Sequence, residues 1–145
     1  MEVANDFLSV VQGEYADTNP YHNATHAADV AQSFSHLIVA AGLSNYSDPL
    51  MRFAALVSAI VHDVRHPGVT NQFLIDAADP VAVRYNDRSP LEQMHCATAF
   101  EIMRVPEYNV AANVPAALKG VFRRAVLDMV MMTDNGEHHN LLARV

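Results

Sequence analysis

Cysteine is almost absent from this chain, with one residue, Cys96, in 145. That excludes an internal disulfide framework and a zinc site built from thiolates. Nothing beside Cys96 marks it as activated, so it reads as a small buried hydrophobe. Positive charge is also scarce. Nine Lys and Arg face 16 Asp and Glu, a net charge of −7, which excludes a nucleic-acid binder working through a broad basic face. The most apolar stretches, 37–43 and 53–61, fall far short of the roughly 18 apolar residues that cross a bilayer. The opening run from Met1 to Asp6 has two acids and no basic region, unlike a signal peptide. No stretch alternates with period two, and no repeat, linker or low-complexity tract divides the chain. The expectation is a cytoplasmic domain with no membrane segment and no nucleic-acid partner.

What the chain has in quantity is apolar surface. Hydrophobic residues make up 51% and charged residues 17%, enough for a core and incompatible with wholesale disorder. The length suits one domain. Helical spacing is pervasive. Val3, Phe7, Leu8, Val11 and Tyr15 predict a helix over 2–16, stopped by Asn19-Pro20. Asn23 can cap a second helix with an apolar stripe of Ala27, Val30, Phe34, Leu37, Ile38 and Ala41, ended by Gly42. Ser47 with Pro49 starts a third, apolar nearly all round and therefore expected at the centre, broken by Pro67-Gly68. Thr70 can cap a short helix to Ala77. Asp79-Pro80 and Tyr85-Asn86-Asp87 read as turns. Ser89-Pro90-Leu91-Glu92 reads as a capping box opening a helix to Arg104. A loop over 106–114 leads to a long helix from Pro115 to Met132, with a further turn or two over 137–143. Met129, Met131 and Met132 read as core filler. The fold class is all-α, a compact multi-helix domain.

Three clusters of titratable groups do not suit core helices. In the first, Tyr21-His22-Asn23-Ala24-Thr25-His26, a helix would set His22 and His26 one turn apart on one face. The second, His62-Asp63-Val64-Arg65-His66-Pro67-Gly68, ends the most apolar helix. The third joins Asn86-Asp87 to Glu92 and His95. A carboxylate at the mouth of a buried helix is costly unless compensated, and a divalent cation would compensate it. With His26 brought in from a neighbouring helix, the site has mixed nitrogen and oxygen donors, suited to zinc, manganese or iron. Its chemistry is metal-dependent hydrolysis.

At these residues the chain resembles the catalytic domain of the class I 3',5'-cyclic-nucleotide phosphodiesterases. The runs that carry the resemblance are Tyr21-His22-Asn23-x-x-His26-Ala27-Ala28-Asp29-Val30, His62-Asp63-Val64-x-His66-Pro67-Gly68-x-x-Asn71-x-Phe73-Leu74 and Asn86-Asp87-x-Ser89-x-Leu91-Glu92-x-x-His95, with a weaker fourth, Thr133-Asp134 followed by His138. The resemblance implies the HD-type architecture and two divalent ions, zinc and magnesium (or manganese). His26, His62 and Asp63 would bind the zinc, and Asp63 would bridge to the second ion. His22 would be the general acid that protonates the O3′ leaving group, with Tyr21 beside it at the substrate. His66, Asn71, Glu92, His95, Thr133 and Asp134 match positions that hold metal-bound waters or orient the ligands. The product would be a 5'-nucleoside monophosphate from cyclic AMP, cyclic GMP or both, in cyclic-nucleotide signalling.

The chain departs from the family pattern in two ways. Met94 stands where the family has a second His before His95. The family's last metal-ligating Asp, the Gln that grips the purine and the aromatic clamp have no counterpart before Val145. Residues 1–145 are therefore expected to be a partial catalytic domain, its exposed core favouring homo-oligomers. The alternatives are another HD-type metal phosphohydrolase, or a catalytically inactive truncated fragment with an interaction role.

Overall fold

The computed structural model describes residues 2–42 and 48–136. These form seven α-helices and one 3-10 turn, with no strand among the described residues, in agreement with the all-α expectation. The helices are α1 (Glu2–Gly13), α2 (Ala24–Ala40), α3 (Pro49–Val61), α4 (Asn71–Asp76), α5 (Pro80–Arg84), α6 (Pro90–Met103) and α7 (Ala116–Met131), with the 3-10 turn at Pro106–Tyr108. Ser47, read as starting the third helix, and 137–143, read as a further turn or two and including His138, lie outside the described residues.

One core joins α1, α3, α6 and α7. Phe7 and Val11 of α1, with Tyr15 just beyond it, meet Ala54, Val57 and Val61 of α3, Cys96, Ala99 and Ile102 of α6, and Phe122, Val126 and Val130 of α7. Phe53 and Phe122 stack with centroids 5.3 Å apart. A smaller cluster of Leu74, Ala82 and Leu91 anchors α4 and α5 on the start of α6. Met94 packs against this second cluster, so its thioether takes an apolar role at the position where the resembled family has a histidine.

The helix bounded by burial on nearly every side is α6, not α3. Nine of its fourteen residues are buried, Glu92 and His95 among them. In α3 the buried set is Ala54, Val57, Ser58, Ala59 and Val61, while Leu50, Met51, Phe53 and Ile60 are only half-covered. In α2 the expected stripe is covered only at its start. Ala27 is buried, Val30 and Phe34 are half-buried, and Leu37 is 63% exposed, because α2 packs chiefly on α3.

Local chemistry explains most boundaries. Asn23, Asp48, Thr70 and Asp79 each accept backbone N–H groups of the helix they open. Asp48 thus starts α3, and Asp79-Pro80, read as a turn, starts α5. Helix α3 gives way to a turn after Val61, well before Pro67, and the left-handed Arg65 (φ 63°) closes that turn, a conformation a right-handed helix cannot contain. The capping box at Ser89 does not form. Ser89 is itself left-handed (φ 42°) and caps nothing; its hydroxyl donates to Asp134 Oδ2 at 2.6 Å, and Glu92 turns to Asn71. Cys96 is buried as expected, and burial pushes its thiol up to about 11.

Candidate metal centre and active site

The site lies where the start of α2, the turn after α3 and the first turns of α6 converge. His26 is in the first turn of α2, fixed because its N–H is the one that Asn23 Oδ1 caps, at 3.1 Å. His62 is the residue that ends α3, and its Nδ1–H donates back to the carbonyl of Ala59 at 2.9 Å. Asp63 follows in the turn. Tyr15 ties this corner down: its hydroxyl donates to the carbonyl of Ile60 at 2.9 Å and accepts from the N–H of Asp63 at 3.4 Å. His95, 1% exposed on α6, donates from Nδ1 to the carbonyl of Val64 at 2.7 Å.

These bonds aim three ligand atoms at one point. Nε2 of His62 lies 3.2 Å from Nε2 of His26 and 3.3 Å from Oδ2 of Asp63. Nε2 of His26 is 3.5 Å from the same oxygen. His95 Nε2 stands 3.9 Å from the other oxygen of Asp63. Asp63 is shared with a second group of potential donors, His22 and His66.

The donor chemistry fits a divalent cation. Because Nδ1 of His62 carries its proton toward Ala59, neutral His62 presents the lone pair of Nε2 to a carboxylate oxygen and to a second imidazole. Three electron-rich atoms so close repel one another unless a proton or a metal ion sits among them. Two imidazole nitrogens and one carboxylate are a borderline-soft set, with room for other ligands.

Without a metal, protonation carries the same load. Burial pulls the pKa of His62 down, but hydrogen bonding and charge from Asp63 more than reverse this, and the net direction is up. Burial likewise works to raise Asp63, and its bond to His62, with the fields of His62, His95 and His22, lowers it on balance. Burial and the neighbouring His62 keep His26 below its ordinary value. Burial drives His95 to about 4, so His95 is a neutral hydrogen-bonding group near neutral pH. Burial also raises Glu92, with Asp134 and Asp63 adding to the effect against the bond from Asn71.

The other predicted residues fall around this centre. His22 is not on the helix with His26, since α2 begins only at Ala24. Its ring instead stacks on that of His66, centroids 3.8 Å apart and planes 9° apart. His66 accepts at Nδ1 from the N–H of Gly68. Tyr21 is 62% exposed, and its ring lies 4.4 Å from that of His26. Asn71 donates from Nδ2 to Glu92 Oε2 at 2.8 Å and accepts the N–H of Leu91 at 2.9 Å, joining α4 to α6. Thr133 donates to the carbonyl of Val130 at the end of α7, and Asp134 holds Ser89. His22, His26, His62, Asp63, His66, Asn71, Glu92, Thr133 and Asp134 all line one wide cleft of about 1810 Å³. Met129, Met131 and Met132 line it too, and Met132 is 55% exposed, so this segment is only partly core.

Sequence reasoning missed the contributions of Glu14, Tyr15 and Asn19. Tyr15 looked like one more apolar position of α1, and Asn19 like a helix stop. Their partners are more than 40 residues away.

The profile of the family described as 3'5'-cyclic nucleotide phosphodiesterase matches residues 21–145. The chain belongs to this phosphodiesterase family. The 3',5'-cyclic-AMP phosphodiesterase isoform F of Drosophila melanogaster is 39% identical over 138 residues, 95% of this chain and 21% of that protein. The 3',5'-cyclic-AMP phosphodiesterase 4C of Rattus norvegicus is 39% identical over 137 residues, 94% of this chain and 26% of that protein. The solved phosphodiesterase domain of the RhoPDE fusion protein of Salpingoeca rosetta superposes with a TM-score of 0.91 at 30% identity, covering 99% of this chain and 44% of that one. The chain thus spans about a quarter or less of these two curated relatives and 44% of the solved domain. Membership of the phosphodiesterase family implies divalent metal use, and the His and Asp groups above could bind it. No helix among the described residues is long and apolar enough to cross a membrane.

Proposed function

We propose that residues 1–145 are part of a cyclic-nucleotide phosphodiesterase catalytic domain, and that the protein hydrolyses the 3',5'-cyclic phosphodiester of cyclic AMP, cyclic GMP or both to the 5'-monophosphate in cytoplasmic signalling. The observation that carries this reading is the convergence of His26, His62 and Asp63 from two elements 36 residues apart, with all three ligand atoms 3.2–3.5 Å from one another. The cyclic AMP named for the relatives supports the substrate class.

In this reading His26, His62 and Asp63 would hold a zinc ion, and Asp63, shared with the His22 and His66 group, would also serve a second ion, magnesium or manganese. Bound there, the two ions supply Lewis acidity toward the phosphodiester and a water activated at neutral pH. His22 gives the proton that O3′ needs as the ring opens, a role suited to an imidazole at the mouth of the cleft. His66 braces that ring by stacking. His95 and Tyr15 hold the main chain around Asp63 so that its carboxylate does not wander. Asn71, Glu92, Thr133 and Asp134 line the cleft wall, where they would order water for a second ion. Tyr21, exposed beside His22 and His26, contacts substrate. Core surface left uncovered in a partial domain would favour association of copies of the chain.

The test is metal analysis together with cyclic AMP and cyclic GMP hydrolysis in zinc and magnesium, on the chain and on a version extended to the length of the solved domain. The expected result is turnover abolished by His22→Ala and by Asp63→Ala. No turnover that depends on these two residues in either form overturns the reading, and hydrolysis of other phosphoesters alone would favour a different metal phosphohydrolase.

A further inference from the structure

Asn19 lies between α1 and α2, 9% exposed. Its amide nitrogen donates to the carbonyl of His66 at 2.7 Å and to the carbonyl of His22 at 3.1 Å. A carboxamide nitrogen carries two hydrogens, and here each has its own acceptor. The two acceptors belong to the two residues whose rings stack at 3.8 Å. The main-chain carbonyl of Asn19 accepts from Asn23, whose own Oδ1 caps the helix turn bearing His26. On its other side the carboxamide is closed in by Gly68. A Cβ there would come within 2.7 Å of Asn19 Oδ1, and Gly68 has a φ of +81° that L side chains rarely adopt.

We propose that Asn19 is the positioning residue that sets His22 face to face with His66, fixing the direction in which the His22 ring points into the cleft. The two histidines are 44 residues apart in sequence and on different segments, so nothing local fixes their separation. One side chain that bonds both main chains does. Gly68 completes the device by leaving room for the carboxamide. The inference rests on the reading of His22 as proton donor for its catalytic consequence, but its geometric content stands apart from that reading.

The experiment has three arms. In the unaltered chain, NMR exchange rates should show both Asn19 Nδ2 protons exchanging slowly, and the His22 ring protons shifted upfield by the ring beneath them. In Asn19→Asp, which keeps the shape and removes both donors, in Asn19→Ala, and in Gly68→Ala, the His22 ring signals should move toward the values of an exposed imidazole, while the amide signals of α6 and α7 stay in place. In the extended protein, Asn19→Asp should lower kcat for cyclic AMP by roughly 10- to 100-fold, a fraction of what general acid catalysis contributes. KM and zinc affinity should stay within about twofold, and hydrolysis of an aryl phosphodiester, whose leaving group needs no proton, should be spared. Rapid exchange of the Asn19 amide in the unaltered chain, or unmoved His22 signals in the folded variants, overturns the proposal. So does zinc affinity falling in step with kcat, since that marks general loosening. If the ring signals respond but the unaltered protein hydrolyses no cyclic nucleotide, the positioning role holds and the function assigned to His22 fails.

Discussion

Helix α3 and the turn that follows it, only a few residues apart, are held by different forces. The helix is fixed by apolar contact: Ala54, Val57 and Val61 face α6 and α7 across a close-packed core. The turn over 62–68 has one anchor of this kind, Val64, which is fully buried in the same core. Otherwise it is stitched by polar bonds from distant segments: from Tyr15 to Asp63, from Asn19 to His66, from His95 to Val64, and from Glu14, through side chain and main chain both, to Arg65. Packing is tolerant and cooperative, whereas each stitch sets one atom. The consequence is that the two regions should fail differently: the helix by losing stability, and the turn by losing the site while the fold survives.

The largest effect is expected in the packed region. Phe122→Ala removes a buried ring stacked on Phe53 and should cost about 3–5 kcal/mol, read by urea unfolding, with retained zinc binding in the fraction still folded. Next comes Asp63→Asn, which takes the charge from the point where three ligand atoms meet. Zinc affinity, measured by competition with a chelating dye, should fall on the order of 100-fold, at least as far as losses reported for outer groups of such sites, with the helical signal unchanged. A Tyr15→Phe variant separates the two regions further. It leaves the ring in the core and removes the bond to Ile60, so stability should drop by about 1–2 kcal/mol and metal affinity should fall more than that loss alone explains. Equal stability and equal affinity would erase the contrast. The smallest effect is that of the Glu14–Arg65 pair. The bond from Arg65 lowers the pKa of Glu14, so the unfolded chain takes up the proton first on acidification. The pair's stabilisation is present above the ordinary glutamate range and lost as pH falls through the lowered folded value. Both partners are partly exposed, so the amount is below about 1 kcal/mol, and it should vanish in Glu14→Gln when unfolding is followed from pH 7 to 3.

The same division governs what the sequence reveals. Helices α1, α2, α4, α6 and α7 are legible because periodic apolar residues, or caps such as Asn23 for α2 and Thr70 for α4, act within a few positions. The gathering of His26, His62 and Asp63 is legible because their motifs are long enough to carry a family resemblance. What stays hidden depends on partners remote in the chain. Ser89 looks like a helix cap until Asp134, 45 residues on, takes its hydroxyl, and Glu92 looks like part of the same cap until Asn71 takes its carboxylate. His22 seems to share a face with His26 until the cap at Asn23 shows that the helix starts after it. The turn that follows α3 is closed by the left-handed Arg65, whose N–H bonds the carbonyl of Glu14, and no pattern near residue 61 announces it.

The sealed thiol of Cys96 offers a way to watch all of this. Cys96 is 4% exposed and burial raises its pKa to about 11, so an aromatic disulfide reagent added at neutral pH reacts only when the interior opens. The rate of colour release then serves as a clock for breathing of α6, the helix that carries Glu92 and His95, in any variant and with no label attached.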